Sequence, residues 1–152
     1  MSTEIHELTY FGPGYRAFYV LAALHAGRVP YKLNSVSFEE FGAAKKEGKY
    51  PTGLPILKLP NGREVTQSFA MARYVAKLPS VNLYPSDLEE ALNVDVVMDI
   101  VFDIMAKCPS GGELEARMAL RAEYAETKLL DYSKAIEATV LDRPFVAGND
   151  LT

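Results

Sequence analysis

The chain has no tryptophan and a single cysteine, Cys108, among its 152 residues. One cysteine excludes an internal disulfide and suits a reducing compartment. No C-x-x-C pair follows the first strand candidate, so a dithiol oxidoreductase would lack its reactive pair. The two histidines, His6 and His25, are too far apart in sequence and pattern to suggest a metal site. Charge interrupts every apolar helix candidate within a few residues, leaving none long enough to cross a membrane. The opening segment MSTEIHELTYF has neither the basic flank nor the apolar core of a signal peptide. Basic clusters are missing too, and a net charge of −4 argues against nucleic acid as a partner. What remains is about half apolar and a quarter charged, the composition of an ordinary globular chain, expected in the cytoplasm.

The residues that are present alternate between strand and helix signals. HELTYF carries Leu8 and Tyr10 between polar neighbours and reads as a short strand. A GPG turn follows, and Arg16 to Ala26 reads as a helix closed by Gly27. VPYKLNSVSF is a second strand, whereas EEFGAAKKEGKYPTG, rich in glycine and lysine, reads as a loop with at most one helical turn. LPILKLPNGREVT places two strands around Asn61-Gly62, a hairpin signal. VTQSFAMARYVAKL then supplies a helix with Phe69, Ala72, Val75 and Ala76 on one side. LPSVNLYPSD has two prolines and no period, so a linker is placed at 80–85, between an α/β domain (1–79) and an all-helical one (86–152). The helical part is read as two long helices, each opened by a capping box: Ser86 with Glu89, then Ser110 with Glu113, the second running to about Leu141.

Several residues admit both a bland and a chemical reading. Pro55 is either an edge-strand proline or a strand start, often cis, at which Leu54 offers its backbone to an extended ligand. Gln67 and Ser68 either cap a helix or use its free N–H groups and dipole to hold an anion. Tyr10 either packs in the sheet or donates a hydrogen bond to a ligand thiolate, which favours the charged form. Arg16 is either a solvated side chain or a nearby positive charge for that thiolate. Asp95, Asp99 and Asp103, four residues apart, stack like charge at about 0.2–0.5 kcal/mol per pair. They form either a solvated face or one awaiting a cation, such as a ligand amine or Arg73 of a second copy. Cys108 sits on the apolar stripe of Val94, Val97, Met98, Val101, Ile104 and Met105 and reads as a buried, inert thiol.

Taken together, LTYF, GYRAF, GLPILKL and VTQSFAMARYVA resemble the cytosolic glutathione S-transferases. The likeness is greatest to the sigma class and its glutathione-dependent prostaglandin isomerase relatives, and VDVVMDIVFDIMAKC is similar to the first long helix of their helical domain. The resemblance implies a thioredoxin-like domain followed by an all-α domain, a homodimer, and glutathione as cosubstrate with no other cofactor. It implies that Tyr10 stabilises the glutathione thiolate with Arg16 nearby, and that Leu54, before a cis Pro55, clamps the cysteinyl backbone. It further implies that Gln67 and Ser68 hold the γ-glutamyl carboxylate, and that Asp103 reaches the glutathione amine in the neighbouring subunit. The thiolate would attack a hydrophobic electrophile; the alternative is a non-catalytic glutathione-binding, lens-type or interaction-module relative.

Three departures stand out. Phe18 occupies the place of an acidic residue, and the loop tryptophan–lysine pair is replaced by Phe41 with Lys45 or Lys49. The likeness also runs out at Thr152, the N-cap of the family's central helix, so the chain is expected to be C-terminally truncated with apolar helix faces left uncovered. A glutaredoxin-like or chloride-channel-like relative would need a cysteine beside the first helix, and residues 11–16 hold none.

Overall fold

The computed structural model describes residues 5–140, 143–149 and 151–152. The chain folds into two compact units, Met1–Tyr84 and Pro85–Thr152.

In the first unit, strand β1 (His6–Tyr10) turns His6, Leu8 and Tyr10 inward and leaves Glu7 and Thr9 half-buried, as a two-residue period requires. A 3₁₀ turn (Tyr15–Ala17) leads into helix α1 (Phe18–Ala26), followed by β2 (Tyr31–Ser35) and α2 (Phe38–Lys46). Strands β3 (Ile56–Lys58) and β4 (Glu64–Val65) and helix α3 (Ser68–Ala76) complete the unit. The sheet order is β2-β1-β3-β4, with β1 and β2 parallel and the other two pairings antiparallel. Leu8 lies opposite Leu57 across β1 and β3. Those two, with Ala17, Val20 and Leu24 on the α1 side and Met71 and Val75 on α3, form the buried core.

Two sequence expectations change here. The supposed loop after β2 holds a nine-residue helix, α2, because Ser37 and Glu40 form a capping box: the Ser37 hydroxyl accepts from the Glu40 N–H at 3.1 Å, and the Glu40 carboxylate accepts from the Ser37 N–H at 2.8 Å. Those bonds also hold the Glu40 carboxyl below its ordinary pKa. Phe38, read as the end of a strand, is instead the first residue of that helix. In the hairpin, the Gly62 N–H donates to the Leu59 carbonyl at 2.8 Å, and Gly62 takes φ 83°, a conformation glycine adopts without penalty.

Helix α1 ends against a tight neighbour. A Cβ on Gly27 would lie 2.6 and 2.7 Å from the two Val81 methyls and 3.0 Å from the Ala23 carbonyl oxygen. Gly27→Ala is therefore expected to lose about 1–3 kcal/mol by overpacking. Adding Val81→Ala should recover part of the loss in urea unfolding, because the two changes act through one contact.

His6 is buried, with Nε2 3.4 Å from the Tyr74 hydroxyl. Burial pushes its pKa below the ordinary 6.5. The unfolded chain therefore takes up this proton at higher pH than the folded one. Stability should begin to fall as pH drops below about 6.5 and go on falling until folded His6 itself protonates. His6→Asn should lack this component when urea unfolding at pH 7 and pH 5.5 is compared.

The second unit holds α4 (Leu88–Lys107), α5 (Leu114–Glu126) and α6 (Lys128–Val140), so three helices stand where two were read. The break falls at Thr127, which leaves helical geometry (φ −120°, ψ −89°) while its hydroxyl bonds back to the Glu123 carbonyl at 2.7 Å. Leu141, the expected helix end, lies outside the described residues. The caps move as well. Asp87, one residue beyond Ser86, accepts from the N–H groups of Glu89 and Glu90, and Glu113 occupies the second N-cap without a side-chain bond. Helix α6 packs on both α4 and α5, and the Tyr124 hydroxyl donates to the Ile104 carbonyl. None of the described residues of these helices is fully buried, and Leu92, Phe102, Leu114, Met118 and Leu120 are exposed. Cys108 is half-buried at the end of α4, where a fully buried thiol was expected.

Candidate functional site

Strand pairing brings five of the candidate residues, Tyr10, Leu54, Pro55, Gln67 and Ser68, to one end of the sheet. Thr9 opposes Ile56, so Tyr10 and Pro55 follow on as neighbours at the end of β1 and the start of β3. Leu57 opposes Val65, and continuing that antiparallel register brings Gln67 toward the same level. The parallel β1–β2 pair matches Tyr10 with Ser35, the Val36 N–H donates to the Tyr10 carbonyl at 2.9 Å, and α2 starts two residues later. This is the end of an α/β sheet at which ligands commonly bind.

At that end Tyr10 is 8% exposed and lines a cleft of about 390 Å³ with Phe11, Gly12, Pro13, Gly14, Tyr15 and Phe38. Leu54–Pro55 is a cis peptide, and Pro55 is buried. The edge-strand reading of Pro55 fails, because β3 is an interior strand between β1 and β4. Gln67 occupies the N-cap of α3 with φ 75°, and its side chain makes no capping hydrogen bond. Ser68 is already inside the helix and buried, so Gln67 alone holds the cap position. A non-glycine residue held at positive φ is uncommon, and the strain makes Gln67 a candidate for a functional contact.

The remaining candidates are less gathered. Arg16 is exposed in the 3₁₀ turn and does not line the cleft. Phe41 packs edge-on to Phe11 at 5.2 Å and stacks with Tyr50 at 6.0 Å, with Lys45 Nζ 6.0 Å above its ring. Lys49 is exposed and paired with Glu47 at 3.3 Å. Asp103 belongs to the second unit and accepts from Lys107 at 2.6 Å. That carboxylate, helped by the Tyr132 hydroxyl, raises the Lys107 pKa above the ordinary lysine range. At Asp103 the acidic stripe pairs with a cation of its own helix.

Sequence reasoning missed Phe11, Tyr15 and Phe38 as site residues. The available signal was an aromatic residue closing each of two strand candidates, HELTYF and VPYKLNSVSF, which parallel pairing carries to the same end of the sheet.

No family model matches the sequence, and no curated protein matches it either. Solved structures do match in three dimensions. Rat hPGDS complexed with a quinoline superposes at a TM-score of 0.85 with 21% identity, covering 97% of this chain and 73% of the other. The fold is that of the glutathione transferases. A glutathione transferase homologue from Sulfitobacter, with bound glutathione, gives 0.78 at 23% identity over 99% of this chain and 77% of its own. Monomeric Na-GST-3, a glutathione S-transferase from the hookworm Necator americanus, gives 0.81 at 23% identity over 97% and 74%. Thioredoxin-like sheet first and helices after, this transferase fold agrees with the expected class. Among the described residues no helix is long and apolar enough to cross a membrane.

Proposed function

We propose that the chain binds reduced glutathione and presents its thiolate to an electrophilic small molecule. The observation that carries this reading is the sheet register that gathers Tyr10, Leu54–Pro55 and Gln67–Ser68 at one end. In this arrangement the α3 N-terminus and the two residues beside it hold the γ-glutamyl carboxylate. The Leu54 backbone pairs with the cysteinyl segment, and the Tyr10 hydroxyl donates to the sulfur. The Tyr10 bond favours the charged sulfur, so the thiol ionises at lower pH than in water. The thiolate then attacks the electrophile directly, and the protein contributes ionisation and positioning without a covalent enzyme intermediate. The bound glutathione of the Sulfitobacter structure supports this reading, and the hPGDS likeness supports isomerisation by the same thiolate as a related outcome.

A sigma-class relationship, a cytoplasmic location and a homodimer joined through Arg73 and the Asp95–Asp103 face belong to the same proposal. The test is calorimetric titration with glutathione, followed by turnover with a generic aryl halide. Micromolar-to-millimolar binding with turnover supports the transferase. Binding without turnover identifies a non-catalytic glutathione-binding relative, a reading favoured by the position of Arg16 outside the Tyr10 cleft. Absence of binding removes both.

A further inference from the structure

On α4, Val96, Asp99, Ile100, Phe102 and Asp103 line an open hollow of about 550 Å³, with Val96 39% and Phe102 45% exposed. Carboxylates beside uncovered apolar side chains suit a cation on an apolar stem, the chemistry of an arginine. A cation of the same helix reaches this face first. Lys107 Nζ donates to the Asp103 carboxylate at 2.6 Å and to the Tyr132 hydroxyl of α6 at 2.9 Å. It also lies 5.5 Å from the centre of the Tyr132 ring. Acid before base at this spacing, with the lysine in the last turn of the helix, is the favourable order. Tyr132 adds a second acceptor from another helix, so the ammonium is fixed at Asp103 where a lone surface pair would wander.

The pair is fixed but exchangeable. Its side chains stay 57% and 44% exposed, and an ion pair so open to water is weak. A guanidinium, which grips a carboxylate through two parallel bonds, can displace an ammonium that acts as a point charge. We propose that Lys107 is a built-in competitor at this face: held by Tyr132, it occupies Asp103 and weakens pairing with a second copy of the chain, whose Arg73 must displace it. The inference rests on the dimer contact proposed above and adds its regulation. Acetylation of Lys107, which removes the charge, is then expected to strengthen the dimer.

Sedimentation equilibrium of the full chain tests this, with Lys107→Gln, Tyr132→Phe and Lys46→Gln alongside the parent. Lys107→Gln should tighten self-association about two- to fivefold, the factor that a surface ion pair supplies. The direction is diagnostic. The substitution makes an already acidic chain one charge more negative, and general repulsion alone would loosen the dimer. Lys46→Gln makes the same charge change on α2 and should not tighten it. Tyr132→Phe should tighten it by a smaller factor, since the ammonium loses one of two partners. The pair itself is read through acetylation by acetic anhydride, at a dilution where the chain is monomeric. Lys107 should react about two- to fivefold more slowly than exposed Lys46, because both of its bonds favour the charged form. A parent that dimerises with an affinity unchanged in Lys107→Gln overturns the proposal and leaves the dimer standing. No association in any of the proteins overturns both. Lys107 acetylating as fast as Lys46 overturns the proposal as well.

Discussion

Tyr10→Phe is expected to lower the rate of glutathione conjugation to an aryl halide by about 10²–10³-fold, the loss typical of one donor aimed at a developing or fixed anion. Glutathione itself should still bind, because its proposed carboxylate and backbone contacts lie elsewhere, at Gln67, Ser68 and Leu54. The substitution removes one oxygen and keeps the ring, which is 8% exposed and packed edge-on to Phe11. The core is therefore preserved, and the measured loss reports on the hydroxyl. The sign of the pH effect follows from the same bond. A free thiol ionises near pH 8.5, and a hydrogen bond to the thiolate lowers that value. Without the hydroxyl the thiol pKa rises, so kcat/KM in the variant should climb at higher pH and close part of the gap. A rate within twofold of the parent at pH 6.5, with an unshifted profile, would remove Tyr10 from the chemistry.

The largest structural effect is expected at Leu57. Its side chain is 0% exposed, lies opposite Leu8, and belongs to the cluster with Val20, Leu24, Met71 and Val75. Leu57→Ala should destabilise the first unit by about 2–5 kcal/mol, combining lost transfer energy with the cavity left behind. The same change at Leu120, which is exposed on α5, should stay within about 0.5 kcal/mol. Urea unfolding followed by far-UV circular dichroism compares the two. A loss below about 1 kcal/mol at Leu57 would mean that the core closes around the gap. Because β3 begins two residues after Leu54, loosening this strand should also weaken ligand binding while every proposed contact residue is retained.

Element types were legible wherever short-range chemistry sets them. The two-residue alternation of His6 to Tyr10, the turn residues at Asn61-Gly62 and the apolar period of Ser68 to Ala76 each act within a few residues. The glycines and lysines around α2 masked a helix whose start depends on one reciprocal pair, Ser37 with Glu40. The split at Thr127 was hidden for a related reason: a β-branched residue inside a helix is tolerated in many places, and only its bond to the Glu123 carbonyl and its departure from helical angles mark the break.

By itself, then, the sequence determined most strand and helix segments apart from α2 and the break at Thr127, where Pro55 interrupts backbone donors, and which residues carry a phenol, a guanidinium or a carboxylate. The tertiary structure alone decided that β3 lies inside the sheet, that Gln67 sits at positive φ, and that Phe38 meets Phe11 across 27 positions of chain. Those outcomes depend on pairings between distant segments, whose register is set by burying Leu8 against Leu57 and by packing α1 on α3. No window of neighbouring residues contains that information.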